Sequence, residues 1–211
     1  MNNGINNSIQ YSVLVAFFSV LLMWLVKWAE INFQLTFGSL GIRPLSFSGL
    51  IGIFTSPFIH GDLTHLINNS VPVFVLIALL YQFYKDVFST ILFLSILLTG
   101  VGVWLFGRPV YHIGASGLIY ALAGFIFLSG IVKKHPQLIA ISLLVSFLYG
   151  GIVWGILPYK EKISWESHLS GLICGFILAI IFKNQGPIRK KYDWELEEEN
   201  QDLNIEYHYK E

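Results

Sequence analysis

The sequence predicts an all-α integral membrane protein with six transmembrane helices and a long, membrane-associated first loop. The first observation behind this fold class is composition. Of the 211 residues, 55% are hydrophobic and only 12% are charged, whereas soluble domains average about 25% charged residues. The second observation is that the apolar residues form long runs separated by charged or turn-forming residues. About 20 apolar residues in a helix cross the hydrocarbon core of a bilayer.

Charged and turn-forming residues delimit six candidate spans. They cover Ile9–Val26, Leu63–Tyr84, Val87–Gly107, Ser116–Val132, Leu138–Leu157 and His168–Phe182. We therefore divide the chain into a short N-terminus (1–8), a membrane domain (9–183) and a tail (184–211) that holds eight of the 13 acidic residues. The first run lacks a charged n-region and a small-residue cleavage site, which predicts a retained helix and not a signal peptide.

The segment from Ala29 to Asp62 is unusual for a loop. Glycines and prolines interrupt it, yet it carries many large apolar side chains. Because irregular backbone cannot face lipid with unpaired polar groups, we expect short interfacial helices that lie against the bundle.

The placement of lysine and arginine predicts the orientation of the chain in the membrane. If the N-terminus is cytoplasmic, seven of these residues, counted as far as Lys191, fall in the inside loops or directly after the last span, and five in the outside loops. An excess of positive charge marks the cytoplasmic side, so we expect both termini to be cytoplasmic in a cell (inner) membrane. The net charge of zero offers nothing to a nucleic acid partner, and the expected surroundings are the lipid bilayer.

Three polar residues from three spans are predicted to lie at one depth. Ser116 lies 17 residues before the lysine that ends its span, Asn69 lies 16 before the corresponding lysine, and His168 lies 15 before its own. At 1.5 Å per residue, all three lie about 22–26 Å above the cytoplasmic boundary. This level is a few ångströms below the outer surface of a core about 30 Å thick. We therefore expect one polar site near the extracytoplasmic side.

Ser116 and His168 are the candidate catalytic residues. Polar and ionisable groups inside a membrane are costly and are usually functional, and a hydroxyl with an imidazole forms a nucleophile–base pair. Gly171 and Gly175 follow His168 on its own helix face, and Gly117 is next to Ser116. Small residues let membrane helices approach closely, so the two spans are expected to bring the serine to the histidine.

His65 and Asn69 are the candidate oxyanion donors, together with the backbone N–H of Ser116. They are four residues apart and share one face of the second span, at the depth predicted for the site. Since no Asp or Glu falls within a predicted span, the base is expected to be oriented by packing, for example against Tyr120, in a dyad and not a triad.

Two other classes of function are weighed against this interpretation. A metal site is the first of these, because four histidines are candidate ligands: His60, His65, His112 and His168. There is no His-Glu-x-x-His motif and no carboxylate in a predicted span, so we expect neither a metal nor a cofactor. A transporter is typically built from inverted repeats with paired broken helices, and the two halves of the sequence show no such symmetry.

Three motifs resemble those of the rhomboid family of intramembrane serine proteases. They are Gly114-Ala-Ser116-Gly117, His60-x4-His65-x3-Asn69 and His168-x2-Gly171-x3-Gly175. The resemblance covers residues 9–183. It implies the six-helix fold of that family, a Ser116–His168 dyad, and transmembrane proteins as substrates that are cut in or near their membrane segments.

The same resemblance implies roles for the neighbouring residues. His65 and Asn69 correspond to oxyanion donors, His60 to a structural hydrogen-bonding residue, and Tyr120 to a residue that packs on the catalytic histidine. A member that binds membrane proteins without cleaving them is the remaining alternative. The presence of both the serine and the histidine argues against it.

Overall fold

The computed structural model describes residues 2–148 and 164–187, which are mainly helical. The helices are α1 (Asn2–Asn32), α2 (Gly52–Thr55), α3 (Leu63–Phe83), α4 (Phe88–Phe106), α5 (Ser116–Val132), α6 (Pro136–Leu148) and α7 (Trp165–Ile181). Within these residues the only β-type pairing is an isolated bridge between Ile42 and His112. The predicted fold class, an all-α membrane protein, is confirmed.

Among the described residues, three helical segments are long and apolar enough to cross a membrane by themselves. They are Ser8–Asn32, Leu63–Phe83 and Lys85–Phe106. Helices α5 and α7 are equally apolar but have 17 residues each, which corresponds to a length of about 26 Å. The shorter helices carry Ser116 and His168 at or near their first turn, so the polar site lies where these helices begin.

Helix α5 lies at the centre of the bundle. It packs against α3, α4, α6 and α7, while α7 also packs against α4, and α1 packs against α3. Its side chains are buried on nearly all sides, including Leu122 and Phe125, and the ring of Phe125 contacts Tyr84 edge-on at 4.8 Å. A helix that is apolar all round belongs in such an interior position.

Helix α1 is longer than the predicted first span, Ile9–Val26. Lys27 was expected to end the helix, but its ammonium group forms an ion pair with Glu30 at 3.0 Å. The same group donates to the backbone carbonyls of His60 at 2.9 Å and Gly61 at 3.1 Å. The helix continues through both charged residues to Asn32.

The short helices predicted between the first two spans are present. Besides α2, the segment forms 3-10 turns at Gly38–Leu40, Phe47–Leu50 and Ser56–Phe58. The backbones at Ile42 and His112 exchange two hydrogen bonds of 3.0 and 2.8 Å. This loop is therefore tied to the loop that precedes α5.

The predicted bounds of the other spans agree with the helices within one residue, except at two places. Helix α7 begins at Trp165, three residues before the predicted start at His168, so the buried Glu166 lies within it. Glu30 likewise lies within α1, so the described helices include carboxylates that the predicted spans left out. For the predicted fifth span, Leu138–Leu157, α6 begins two residues earlier, at Pro136, and is described as far as Leu148. The second half of that span lies outside the described residues, as does most of the tail.

Candidate active site

Ser116 is the first residue of α5, and the preceding backbone places it there. Gly114 has φ +108°, a left-handed conformation that side chains rarely adopt, and its N–H donates to the Ser56 carbonyl at 2.9 Å. A Cβ on Gly114 would also lie 2.6 Å from the His65 ring. The first-turn N–H groups of α5, including that of Ser116, have no acceptor within the helix. They are available to an incoming oxyanion.

His168 reaches Ser116 across the contact between α7 and α5. Its Nε2 lies 2.8 Å from Ser116 Oγ, which is within hydrogen-bond distance. The Tyr120 ring stacks on the imidazole with 4.2 Å between centroids and 10° between planes. His168 is only 8% exposed. The structure thus brings together the hydroxyl, the imidazole and the aromatic ring that the sequence placed on two different helices.

Glycines make this close approach possible. A Cβ on Gly171 would overlap the carbonyl oxygen of Gly117, and a Cβ on Gly175 would overlap that of Ala121. On the other helix, a Cβ on Gly117 would lie 2.5 Å from Ser167 Oγ. The helices therefore touch backbone to backbone directly below the serine–histidine pair, as small residues permit.

His65 and Asn69 lie on the first two turns of α3, next to Gly114. The Cβ position of that glycine is 2.6 Å from His65 Nε2 and 3.5 Å from Asn69 Nδ2. The Asn69 Nδ2 group is buried and has no hydrogen-bond acceptor among the described residues. A buried donor without a partner is unusual in a folded protein, and here it lies beside Gly114, which is two residues before Ser116 in the chain.

His60 supports this side of the site through its ring. The ring is fully buried and contacts the His65 ring edge-on at 5.0 Å. Burial, and after it the neighbouring His65, lower the pKa of His60 to about 4. His60 is therefore neutral at physiological pH. The resemblance implied a hydrogen-bonding role for this residue, and the contact found here is the packing of its ring against His65.

Ser116, His168, His65 and Asn69 all line one cavity of about 900 Å³. It opens at the end of the bundle where α3, α5 and α7 begin. Its lining includes Asp62, His65, Asn68, Asn69, Arg108, Tyr111, His112, Ser116, Ser164 and His168. Ser116, Asn69 and His168, which were predicted to share one depth, therefore line the same cavity.

Four residues of this neighbourhood were not found as site residues from the sequence. Arg108 pairs with Glu166, and His112 contacts Ser164. His112 was weighed only as a metal ligand, and among the described residues no group of three or more His, Cys, Asp or Glu side chains could hold a metal ion. The one available signal was the position of Glu166, two residues before His168.

Comparison with known proteins gives the class of this membrane protein. Residues 48–185 match the rhomboid domain, and these residues include every member of the site described above. The chain belongs to the rhomboid family and is a multi-pass protein of the lipid bilayer.

Several relatives share most of this region. An uncharacterized protein of Mycobacterium tuberculosis is 36% identical over 161 residues, which cover 71% of this chain and 65% of that protein. An uncharacterized protein of Mycobacterium leprae is 33% identical over 180 residues, covering 80% and 70%. A protein of Acanthamoeba polyphaga mimivirus that is named as a rhomboid protein is 30% identical over 155 residues, covering 66% and 81%. The chain thus spans about 65% of the length of the first of these relatives.

Proposed function

We propose that this chain is an intramembrane serine endopeptidase that hydrolyses peptide bonds in or near transmembrane segments of other membrane proteins. The observation that carries the proposal is the 2.8 Å contact between His168 Nε2 and Ser116 Oγ inside a cavity that water can enter. A nucleophile and a base within hydrogen-bond reach are the required geometry for acyl transfer.

The chemistry starts with the transfer of the Ser116 hydroxyl proton to His168 Nε2. Ser116 Oγ forms a bond to the scissile carbonyl carbon, and the carbonyl oxygen becomes an oxyanion. When the C–N bond breaks, His168 returns the proton to the departing amine. A water molecule, deprotonated by the same imidazole, then hydrolyses the acyl-enzyme and restores the serine. The base must be neutral to accept the first proton, so activity falls as acid protonates His168.

Three donors would stabilise the oxyanion. They are the backbone N–H of Ser116 at the start of α5, the Asn69 side-chain amide and the His65 imidazole. The unpartnered, buried Nδ2 of Asn69 supports this role, because a donor held in place before the reaction costs no reorganisation when the negative charge develops. Tyr120, stacked on His168, would hold the plane of the imidazole.

Transmembrane helices are the substrates that this location suits. A peptide carbonyl in a helix is occupied by a backbone hydrogen bond, so the substrate segment must unwind locally before Ser116 can attack it. With both termini cytoplasmic in the cell membrane, the cavity opens to the extracytoplasmic side. In the same orientation, the N-terminus (1–8) and the acidic tail (184–211), which flank the membrane domain (9–183) in the sequence, both lie in the cytoplasm.

The proposal is tested by labelling the detergent-solubilised full chain with a fluorophosphonate probe and by following cleavage of a transmembrane substrate. Wild-type protein is expected to be labelled and to cleave, and Ser116→Ala to do neither. Ser129→Ala is the matched control, because Ser129 is a buried serine at the other end of the same helix. Cleavage by Ser116→Ala would refute the assignment. Binding of the substrate by an unlabelled, inactive wild-type protein would instead support a rhomboid pseudoprotease.

A further inference from the structure

Four polar side chains connect the loop before Ser116 directly to the start of the helix that carries His168. Arg108 and His112 lie in the loop between α4 and α5, Ser164 precedes α7, and Glu166 lies in its first turn. These four residues, here called the α7 clasp, belong neither to the dyad nor to the oxyanion donors.

The first half of the α7 clasp is an ion pair with forked geometry. Arg108 Nε lies 2.5 Å from Glu166 Oε1, and Arg108 Nη2 lies 3.4 Å from Glu166 Oε2. The backbone N–H of Arg108 also donates to Oε1 at 3.3 Å. Two-point pairing of this kind fixes direction as well as distance. It therefore sets how the first turn of α7 is rotated relative to the loop.

The second half is a hydrogen-bonded chain through His112. Its Nε2 lies 3.0 Å from the carbonyl oxygen of Arg108. A carbonyl only accepts, so Nε2 donates this hydrogen bond, and Nδ1 on the other side of the ring lies 2.5 Å from the Ser164 hydroxyl. The Ser164 carbonyl in turn accepts from the His168 N–H at 3.3 Å. A continuous set of contacts thus runs from the loop to the backbone of the catalytic base.

The burial of Glu166 in the Arg108–Glu166 ion pair favours a positioning role for this pair. Glu166 is 4% exposed, while its partner Arg108 is 36% exposed. A buried carboxylate carries a desolvation cost, and an apolar pair of similar size is often as stable or more so. The ion pair is therefore not required for packing alone, whereas its directionality suits a site in which a displacement of about 1 Å costs ~10² in rate.

The position of the α7 clasp relative to His168 completes the argument. On the C-terminal side of His168, the glycines at 171 and 175 hold α7 against α5 through backbone contact. On the N-terminal side, the contacts at 164 and 166 hold α7 against the loop that leads into Ser116. We propose that the α7 clasp positions His168 Nε2 against Ser116 Oγ, so that Arg108 and Glu166 are positioning residues of the dyad. This inference rests on the proposed protease function.

The test is a double-mutant cycle in the purified full chain, with Arg108→Gln, Glu166→Gln and the combined variant. The measurements are kcat and KM for a transmembrane substrate, the rate of fluorophosphonate labelling, and the thermal midpoint. We expect each single variant to lower kcat and the labelling rate about tenfold or more with KM within about twofold. The combined variant is expected to lose no more than the worse single variant, because the two side chains act as one unit.

Two further variants keep the test informative if a neutralised variant does not fold. Arg108→Lys keeps the charge that pairs with Glu166 but loses the fork, so kcat and labelling are expected to fall between those of wild type and Arg108→Gln. Ser164→Ala removes only the His112 contact and is expected to lower both severalfold. Lys133→Gln, at the other end of α5, is the control and is expected to leave both unchanged.

The outcomes separate the possible roles. Lower thermal midpoints with wild-type kcat and labelling in the folded protein would mean that the α7 clasp only stabilises the fold, which overturns the proposal. A higher KM with unchanged kcat would assign it to substrate binding and overturn it as well. Failure of the protease function itself has a different signature, namely an unlabelled wild-type chain or a Ser116→Ala variant that still cleaves.

Discussion

The two sides of the cavity hold their functional groups by different means. On the dyad side, α5 and α7 touch through backbone atoms, and a Cβ on Gly171 would overlap the Gly117 carbonyl. On the oxyanion side, α3 is held by side-chain contacts, namely the edge-on packing of His60 on His65 and the hydrogen bond from Lys27 to the His60 carbonyl. The geometry of the dyad side therefore depends on how closely the α5 and α7 backbones approach. The geometry of the oxyanion side depends on individual side-chain contacts.

The difference predicts how each side responds to substitution. Backbone-to-backbone contact leaves no room for relaxation, so even one added methyl group displaces a whole helix. Side-chain contacts can be lost singly while the helix stays in place, and several donors can share one task. We therefore expect large, all-or-none effects on the dyad side and graded effects on the oxyanion side.

The largest effect is expected for His168→Ala. Without the imidazole, Ser116 is not deprotonated, and loss of such a base lowers kcat by about 10⁴ or more. Both substrate cleavage and fluorophosphonate labelling should fall to the background level of the assays. His135→Ala, which removes a histidine at the opposite end of the bundle, should retain both activities. Full labelling of His168→Ala would mean that another group activates the serine.

Gly171→Ala comes next. The added methyl group meets the Gly117 carbonyl, and we expect α7 to move away from α5, lowering kcat/KM about 100-fold together with the thermal midpoint. Gly38→Ala is the matched control, because a Cβ at Gly38 meets nothing within 4 Å. Wild-type activity in Gly171→Ala would show that the dyad does not depend on this backbone contact.

Asn69→Ala tests the oxyanion side. Losing one oxyanion donor typically costs ~10²–10³ in rate, and the remaining donors should limit the loss to the lower end of that range. The effect is expected on kcat with KM nearly unchanged, because the donors act on the transition state. A large rise in KM with kcat intact would instead assign Asn69 to substrate binding.

The last prediction concerns how the buried, neutral His60 makes the free energy of unfolding depend on pH. Its pKa is about 4 in the folded protein and about 6.5 when unfolded, so the unfolded chain binds more protons between these values. The free energy of unfolding therefore falls as pH drops from 6.5 toward 4, by roughly 3 kcal/mol in total. Thermal midpoints of His60→Gln measured across this range should fall less than those of wild type. Parallel pH profiles would contradict a buried, neutral His60.

Helix α5 shows what local pattern can predict. It is bounded by Gly114 on one side and Lys133 on the other, and its predicted bounds equal the observed ones. A glycine just before an apolar run and a charged residue just after it are local signals, and neither needs a distant partner. The proximity of Ser116 and His168 was likewise predictable, since small residues mark where membrane helices approach.

The contacts that local pattern missed all involve distant partners. Lys27 does not end α1, and its ammonium group donates to carbonyls 33 and 34 residues away. The predicted last span left out Glu166, which lies in the first turn of α7 and pairs with Arg108, 58 residues earlier. A single sequence shows where a charge is but not what will neutralise it.

Apolar runs, small residues and the spacing of polar residues were therefore enough to predict the fold class and the pairing of serine with histidine, while the family followed from the resemblance of three motifs. Those features follow from the cost of exposing polar groups to lipid, which acts on each residue separately. The extent of α1, the burial of Glu166 and the link between the α4–α5 loop and α7 were decided by the folded bundle. Each depends on an interaction between two groups that are far apart in the chain. That interaction contributes to stability only after the helices have packed.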